Sequence, residues 1–150
     1  THRRMRRYFA RPMDVTCLAD VKAVLGEGPC WDPAAQALTF VDIKGRRAFR
    51  WRESAALEEF TTPFRLGSLI PRASGGFIAG TDRGIAAVDL DRDSYELLFD
   101  PEEERDTNRF NDAKVDRSGR LFAGTMDDEE SQASGAFYRI DKNLACTRVD

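Results

Sequence analysis

The sequence predicts an all-β chain assembled from β-propeller blades. Short β-rich runs separated by turn residues fill it, and a sustained helical spacing of apolar residues is missing. The runs recur about every 40 to 50 residues, which is the period of blades made of four short antiparallel strands. The competing architecture is a single β-sandwich with evenly spaced hairpins.

The repeat is legible element by element. ALTFVDI (37–43), GFIAGT (76–81) and RLFAGT (120–125) read as equivalent strands, each following a turn: WDPAAQ, PRASG and DRSG. Phe40, Ile78 and Phe122 hold matching places, 38 and 44 residues apart. Second strands follow at RAFRW (47–51), GIAAVDL (84–90) and GAFYRID (135–141), and third runs at LEEFTT (57–62) and YELLFD (95–100). The closing CTRVD reads as the outer strand of a third repeat. Propellers close with four blades or more, and an open stack exposes apolar faces and unpaired edges. Residues 15–150 are therefore expected to be the N-terminal half of a longer propeller domain.

Composition narrows the partners. The chain has 150 residues, 41% hydrophobic and 33% charged, with a net charge of -3. This suits a globular domain and gives no general basic field for nucleic acid. Arg3, Arg4, Arg6, Arg7 and Arg11 crowd the start, which reads as a disordered basic extension over residues 1–14, with Met5 and Met13 as candidate natural starts. It has no apolar core of a secretion signal, and His2 within it is not read as a ligand. No apolar run approaches the roughly 20 residues of a membrane helix. Cys17, Cys30 and Cys146 are odd in number and lack C-x-x-C spacing, so they read as buried thiols in a reducing compartment. The expectation is a cytoplasmic protein with no membrane, nucleic-acid or obligate protein partner.

Two short segments carry polar chemistry. In LGEGPCW, Glu27 lies between Gly26 and Gly28 and ahead of Pro29. The glycines allow a sharp bend and the proline fixes the exit direction, a setting in which a carboxylate suits a hard divalent cation; a solvated turn glutamate is the plainer reading. In NRFNDAKVDRSGRLFAGTM, Arg109 and Asn111 are alternate residues and share one side of an extended segment. Arginine offers a fork of donors, and asparagine offers both a donor and an acceptor. Asp112 points the other way and reads as structural, bonding backbone amides. GTMDDEESQASG (124–135) reads as an acidic, strand-free stretch containing Glu129, able to overhang a channel or simply to be solvated. Calcium-loop spacing, nucleophile elbow, Walker loop and dinucleotide fingerprint are all missing, which leaves metal-assisted chemistry as the main enzymatic option.

Together, LGEGPCWDPAAQALTFVDIKGRRAFRW and NRFNDAKVDRSGRLFAGTMDDEE resemble the regucalcin/gluconolactonase (senescence marker protein) family over about residues 15 to 150. GSLIPRASGGFIAGTDRGIAAVDL is similar to that family's second blade. The resemblance implies a six-bladed propeller that holds one divalent cation (calcium, zinc, manganese, magnesium or iron) and hydrolyses sugar lactones. Glu27 is then a metal ligand, Arg109 and Asn111 bind the sugar lactone, and Glu129 closes over it. The other ligands, an Asn and an Asp that also acts as general base, are implied beyond Asp150. No catalytic residue is therefore expected in this chain, which is expected to be inactive by itself. Ala113 stands where the family commonly has Gly, which implies an ordinary backbone conformation there. A calcium-binding regulatory protein, a propeller phosphotriesterase and a non-catalytic scaffold are the rival functions.

Overall fold

A computed structural model describes residues 14–150; the basic extension lies outside the described residues except for Asp14. Among these residues, three four-stranded antiparallel sheets form, each a meander of sequence neighbours. The first contains β1 (Gly26–Asp32), β2 (Ala37–Asp42), β3 (Arg47–Trp51) and β4 (Glu58–Thr61). The second contains β5 (Leu66–Pro71), β6 (Phe77–Thr81), β7 (Gly84–Asp89) and β8 (Ser94–Phe99). The third contains β9 (Asn108–Val115), β10 (Leu121–Asp127), β11 (Phe137–Ile140) and β12 (Cys146–Arg148).

The runs read as equivalent strands are β2, β6 and β10, and Phe40, Ile78 and Phe122 are half-buried in all three. The first strand of each sheet is the element that pattern reading missed. Trp31 and Asp32, assigned to a turn, end β1, and Pro71 of PRASG ends β5. The acidic stretch 124–135 is not strand-free at its start, because β10 continues to Asp127.

Packing follows from period two. The second sheet lies between the other two, so successive side chains of one strand enter different cores. Leu69, Ala79, Ala86 and Val88 join Val41, Ile43 and Ala48 of the first sheet. Their neighbours Ile70 and Ile85 join Phe110, Ala113, Leu121, Tyr138 and Ile140 of the third. Burial on both faces explains why LGSLIP has no polar alternation and reads poorly as a strand. Ala113 is buried in this second core and has no positive φ, as its side chain requires.

Charged side chains tie the sheets together at their rims. Arg50 of β3 reaches Glu58 on β4 at 2.8 Å and Asp91, in the β7–β8 turn of the next sheet, at 2.5 Å. Asp42, wholly buried at the end of β2, fastens the strand-free segment before β1 to the first sheet. It accepts hydrogen bonds from the backbone of Leu25 at 2.9 Å, Val24 at 3.1 Å and Gly45 at 3.0 Å, and from Arg47 at 2.8 Å.

The three cysteines are free, but Cys17 is exposed and only Cys30 and Cys146 are half-buried. The expectation of buried thiols fails at Cys17 because it lies on the strand-free segment, off both cores. Burial pushes the Cys30 and Cys146 thiols above their ordinary values. No helix among the described residues is long and apolar enough to cross a membrane.

Burial alone would raise the Asp42 carboxyl, but its hydrogen bonds, led by Leu25 and Arg47, outweigh burial and hold it at about 2, against an ordinary 3.8. A carboxylate with a depressed folded-state pKa stabilises the fold above its unfolded value and loses that contribution as pH falls through the folded one. Urea unfolding of the intact protein should therefore show a stability loss as pH drops from about 4 to 2 that Asp42→Asn lacks. Asp42→Asn should also be the less stable protein at neutral pH, by about 3 kcal/mol.

Candidate functional site

The first strands β1, β5 and β9 lie against one another, and each carries a one-residue bulge at the same level. Pairing slips between Glu27 and Cys30 on β1, between Leu66 and Ser68 on β5, and between Phe110 and Ala113 on β9. A bulge bends its strand and re-aims side chains, which breaks the alternation a sequence pattern relies on. Glu27, Arg109 and Asn111 all lie at or beside these bulges.

Two glycines make the approach possible. A Cβ at Gly28, which has φ +59°, would lie 3.0 Å from the carbonyl oxygen of Gly67. A Cβ at Gly67 would lie 2.4 Å from the carbonyl oxygen of Asn111 and 2.5 Å from that of Phe110. Backbone therefore rests on backbone from Glu27's neighbour, through Gly67, to Asn111, and the strand bearing the candidate ligand is held beside the strand bearing the candidate substrate residues.

Within β9 the polar residues divide as their spacing predicts. Arg109 donates from Nη1 to Asn111 Oδ1 at 2.8 Å and to the Phe110 carbonyl at 3.2 Å. Asp112 bonds the Ala113 amide at 2.8 Å and pairs with Lys114. What the sequence did not reveal is burial: Arg109 is only 4% exposed, and its Nε donates to Asp128 Oδ1 at 2.6 Å. Asn111 is half-buried, whereas Glu27 and Glu129 are exposed.

The residue before Arg109 is anchored as firmly. Asn108 donates to Glu102 Oε2 at 2.8 Å and to the Ser134 carbonyl at 3.1 Å, and Ser134 Oγ donates back to Asn108 Oδ1 at 2.6 Å. Tyr138 completes the group by donating to Glu102 Oε1 at 2.9 Å; burial first, then this carboxylate, push its phenol up to about 12. Glu102, Asn108, Ser134 and Tyr138 escaped sequence reading because their partners are 26 to 36 residues away or across an unassigned turn. Opposite them, Asp127 accepts from the Ser131 amide and hydroxyl, each at 2.8 Å, and from the Gln132 amide at 3.0 Å. Glu129 thus stands in a braced turn, next in sequence to the carboxylate that holds Arg109.

Chemically, Arg109 and Asn111 form a paired donor. An arginine has only donors, so its contact fixes the Asn111 carbonyl oxygen toward the guanidinium. Arg109 Nη2 and Asn111 Nδ2 then remain without a partner among the described residues, which suits them to acceptor oxygens. Glu27 offers a hard oxygen to a cation, yet no three acidic, histidine or cysteine side chains converge on one point among the described residues.

Residues 25–150 match the sequence profile of the SMP-30/Gluconolactonase/LRE-like region. The chain belongs to this family. It is 36% identical to regucalcin of Oryctolagus cuniculus over 132 residues, 84% of this chain and 44% of the relative. Among solved structures, a luciferin-regenerating enzyme superposes with a TM-score of 0.80 at 26% identity, covering 85% of this chain and 46% of that one. Regucalcin from Agrobacterium tumefaciens, described as a calcium-binding protein, superposes with a TM-score of 0.78 at 26% identity, covering 84% and 43%. The chain spans somewhat less than half the length of these SMP-30/gluconolactonase relatives.

Gly67→Ala places a methyl group against two backbone carbonyls that have no flexible end to move. It should destabilise the intact protein by about 1–3 kcal/mol or more in urea unfolding, and a stability equal to that of the unmodified protein would show that the three first strands do not pack this tightly.

Proposed function

We propose that the intact protein hydrolyses a sugar lactone, an aldonolactone, to the aldonic acid with the help of one divalent cation, and that this chain supplies three blades of a six-bladed propeller. The observation that carries the reading is the donor pair Arg109–Asn111, held beside the Glu27 strand in a member of a gluconolactonase family. A neutral lactone presents ring, carbonyl and hydroxyl oxygens, all of them acceptors, to two side chains whose remaining groups donate.

Glu27 would be one oxygen ligand of the cation. A hard cation needs several oxygen donors, so the Asn and Asp ligands are proposed to come from outside this chain, the Asp also serving as general base. When bound, the cation supplies polarisation of the lactone carbonyl. Arg109 and Asn111 orient the ring, and Glu129, on its braced turn, accepts a sugar hydroxyl at the channel mouth. Holding the lactone this way makes an otherwise bimolecular attack by water effectively unimolecular. Which of calcium, zinc, manganese, magnesium or iron is bound follows from availability and geometry as much as from ligand type.

The regucalcin relatives favour a second reading, a calcium-binding regulatory protein using the same metal site. Turnover separates the two. The intact protein should hydrolyse aldonolactones and show no comparable rate on phosphotriesters in a parallel assay. Glu27→Gln should weaken cation affinity, measured by calorimetry, and lower turnover together. Unaltered cation binding would remove Glu27 from the ligand set, and calcium binding without lactone turnover would favour the regulatory protein.

A further inference from the structure

A second set of charges adjoins the proposed site. Arg109 is buried, at 4% exposed, and a buried guanidinium is costly unless its donors are met. Asp128 meets Nε at 2.6 Å. The other oxygen of Asp128 accepts from Arg65 Nη1, just ahead of β5. Arg65 is held in turn by Asp82, which accepts from Nε at 2.9 Å and from the Arg65 amide at 3.0 Å. Asp82, Arg65, Asp128 and Arg109 thus alternate in sign across two sheets, with no surplus charge.

The carboxylate at the centre of this row is fixed from its own side as well. The Asp128 amide donates to the Thr107 carbonyl at 2.9 Å, and Asp127 beside it closes the turn through Ser131 and Gln132. Burial pushes the Asp128 carboxyl up, but Arg109 and Arg65 outweigh it and keep it below the ordinary range, so it is charged at neutral pH. With Asp128 on Nε and the Phe110 carbonyl and Asn111 Oδ1 on Nη1, the guanidinium plane is set on two sides.

We propose that Asp128 is the positioning residue for Arg109: it fixes the guanidinium so that Nη2 is held out as a donor, while Arg65 keeps the carboxylate from turning away. The part Arg109 plays toward a lactone rests on the function proposed above; its placement by Asp128 does not. The alternative is an ion pair that merely joins two sheets and leaves substrate binding untouched.

The test uses the intact protein. In Asp128→Asn, kcat/KM toward an aldonolactone should fall about 10- to 100-fold, mainly through KM, and Asp128→Glu should recover part of the loss. In an Arg109→Lys background the same substitution should have less than about a twofold further effect, because residues acting as a unit are not additive. Full additivity, or a KM unchanged in Asp128→Asn, would overturn the proposal.

A readout independent of turnover accompanies these assays. The Arg109 Nε–H, assigned by the loss of its nuclear magnetic resonance signal in Arg109→Lys, should exchange slowly in the unmodified protein and rapidly in Asp128→Asn. Rapid exchange in the unmodified protein would overturn the placement even if Asp128→Asn failed to fold. A protected Nε–H in a protein that turns over no aldonolactone would confine the failure to the lactonase reading.

Discussion

Backbone contact between the first strands of the three sheets is the constraint on which the rest depends. Side chains normally hold neighbouring sheets about 10 Å apart, yet Gly67 lets two carbonyl groups of β9 rest where its own Cβ would be. Gly28 does the same for β1 against Gly67. The sheets therefore converge at their first strands, while larger side chains such as Leu69, Ile70, Phe110 and Tyr138 fill the space behind. The strands of Glu27 and Asn111 are brought together through this convergence, although 84 positions separate the two residues in the chain.

The polar groups follow the same division. Near the convergence, side chains are held by one another: Arg109 by Asn111 and Asp128, and Asn108 by Glu102 and Ser134. At the outer rim, Arg50 with Glu58 and Asp91 joins sheets without entering the candidate site. Arg50 and Arg109 are both buried, and losing one partner of a buried guanidinium strands a charge away from water. The value of such a group lies in the single arrangement it permits.

How much of this the sequence reveals depends on period. β2 to β4, β6 to β8 and β10 to β12 were legible as β-rich runs between turn residues, and Phe40, Ile78 and Phe122 marked the equivalence of β2, β6 and β10. β1, β5 and β9 were not, since each contains a bulge and β5 is buried on both faces. The spacing of Arg109 and Asn111 was enough to place them on one side of an extended segment. It could not show that Arg109 is buried, because burial comes from the neighbouring sheet. Asp128 looked like one more member of a solvated acidic run, and nothing near Arg65 marks it as its partner 63 residues away.

The repeated bulge also limits how this family member can change. Each bulge adds one residue to a strand whose two flanking halves remain in register with its partner. Deleting that residue would leave both halves opposite the same partners but would straighten the strand and withdraw the bend that aims the residues at the bulge. A change of length in β1, β5 or β9 therefore falls on the candidate site itself, whereas the turns joining later strands tolerate it. Variation at the candidate site would then proceed by substitution on the first strands and by insertion in loops such as 128–136.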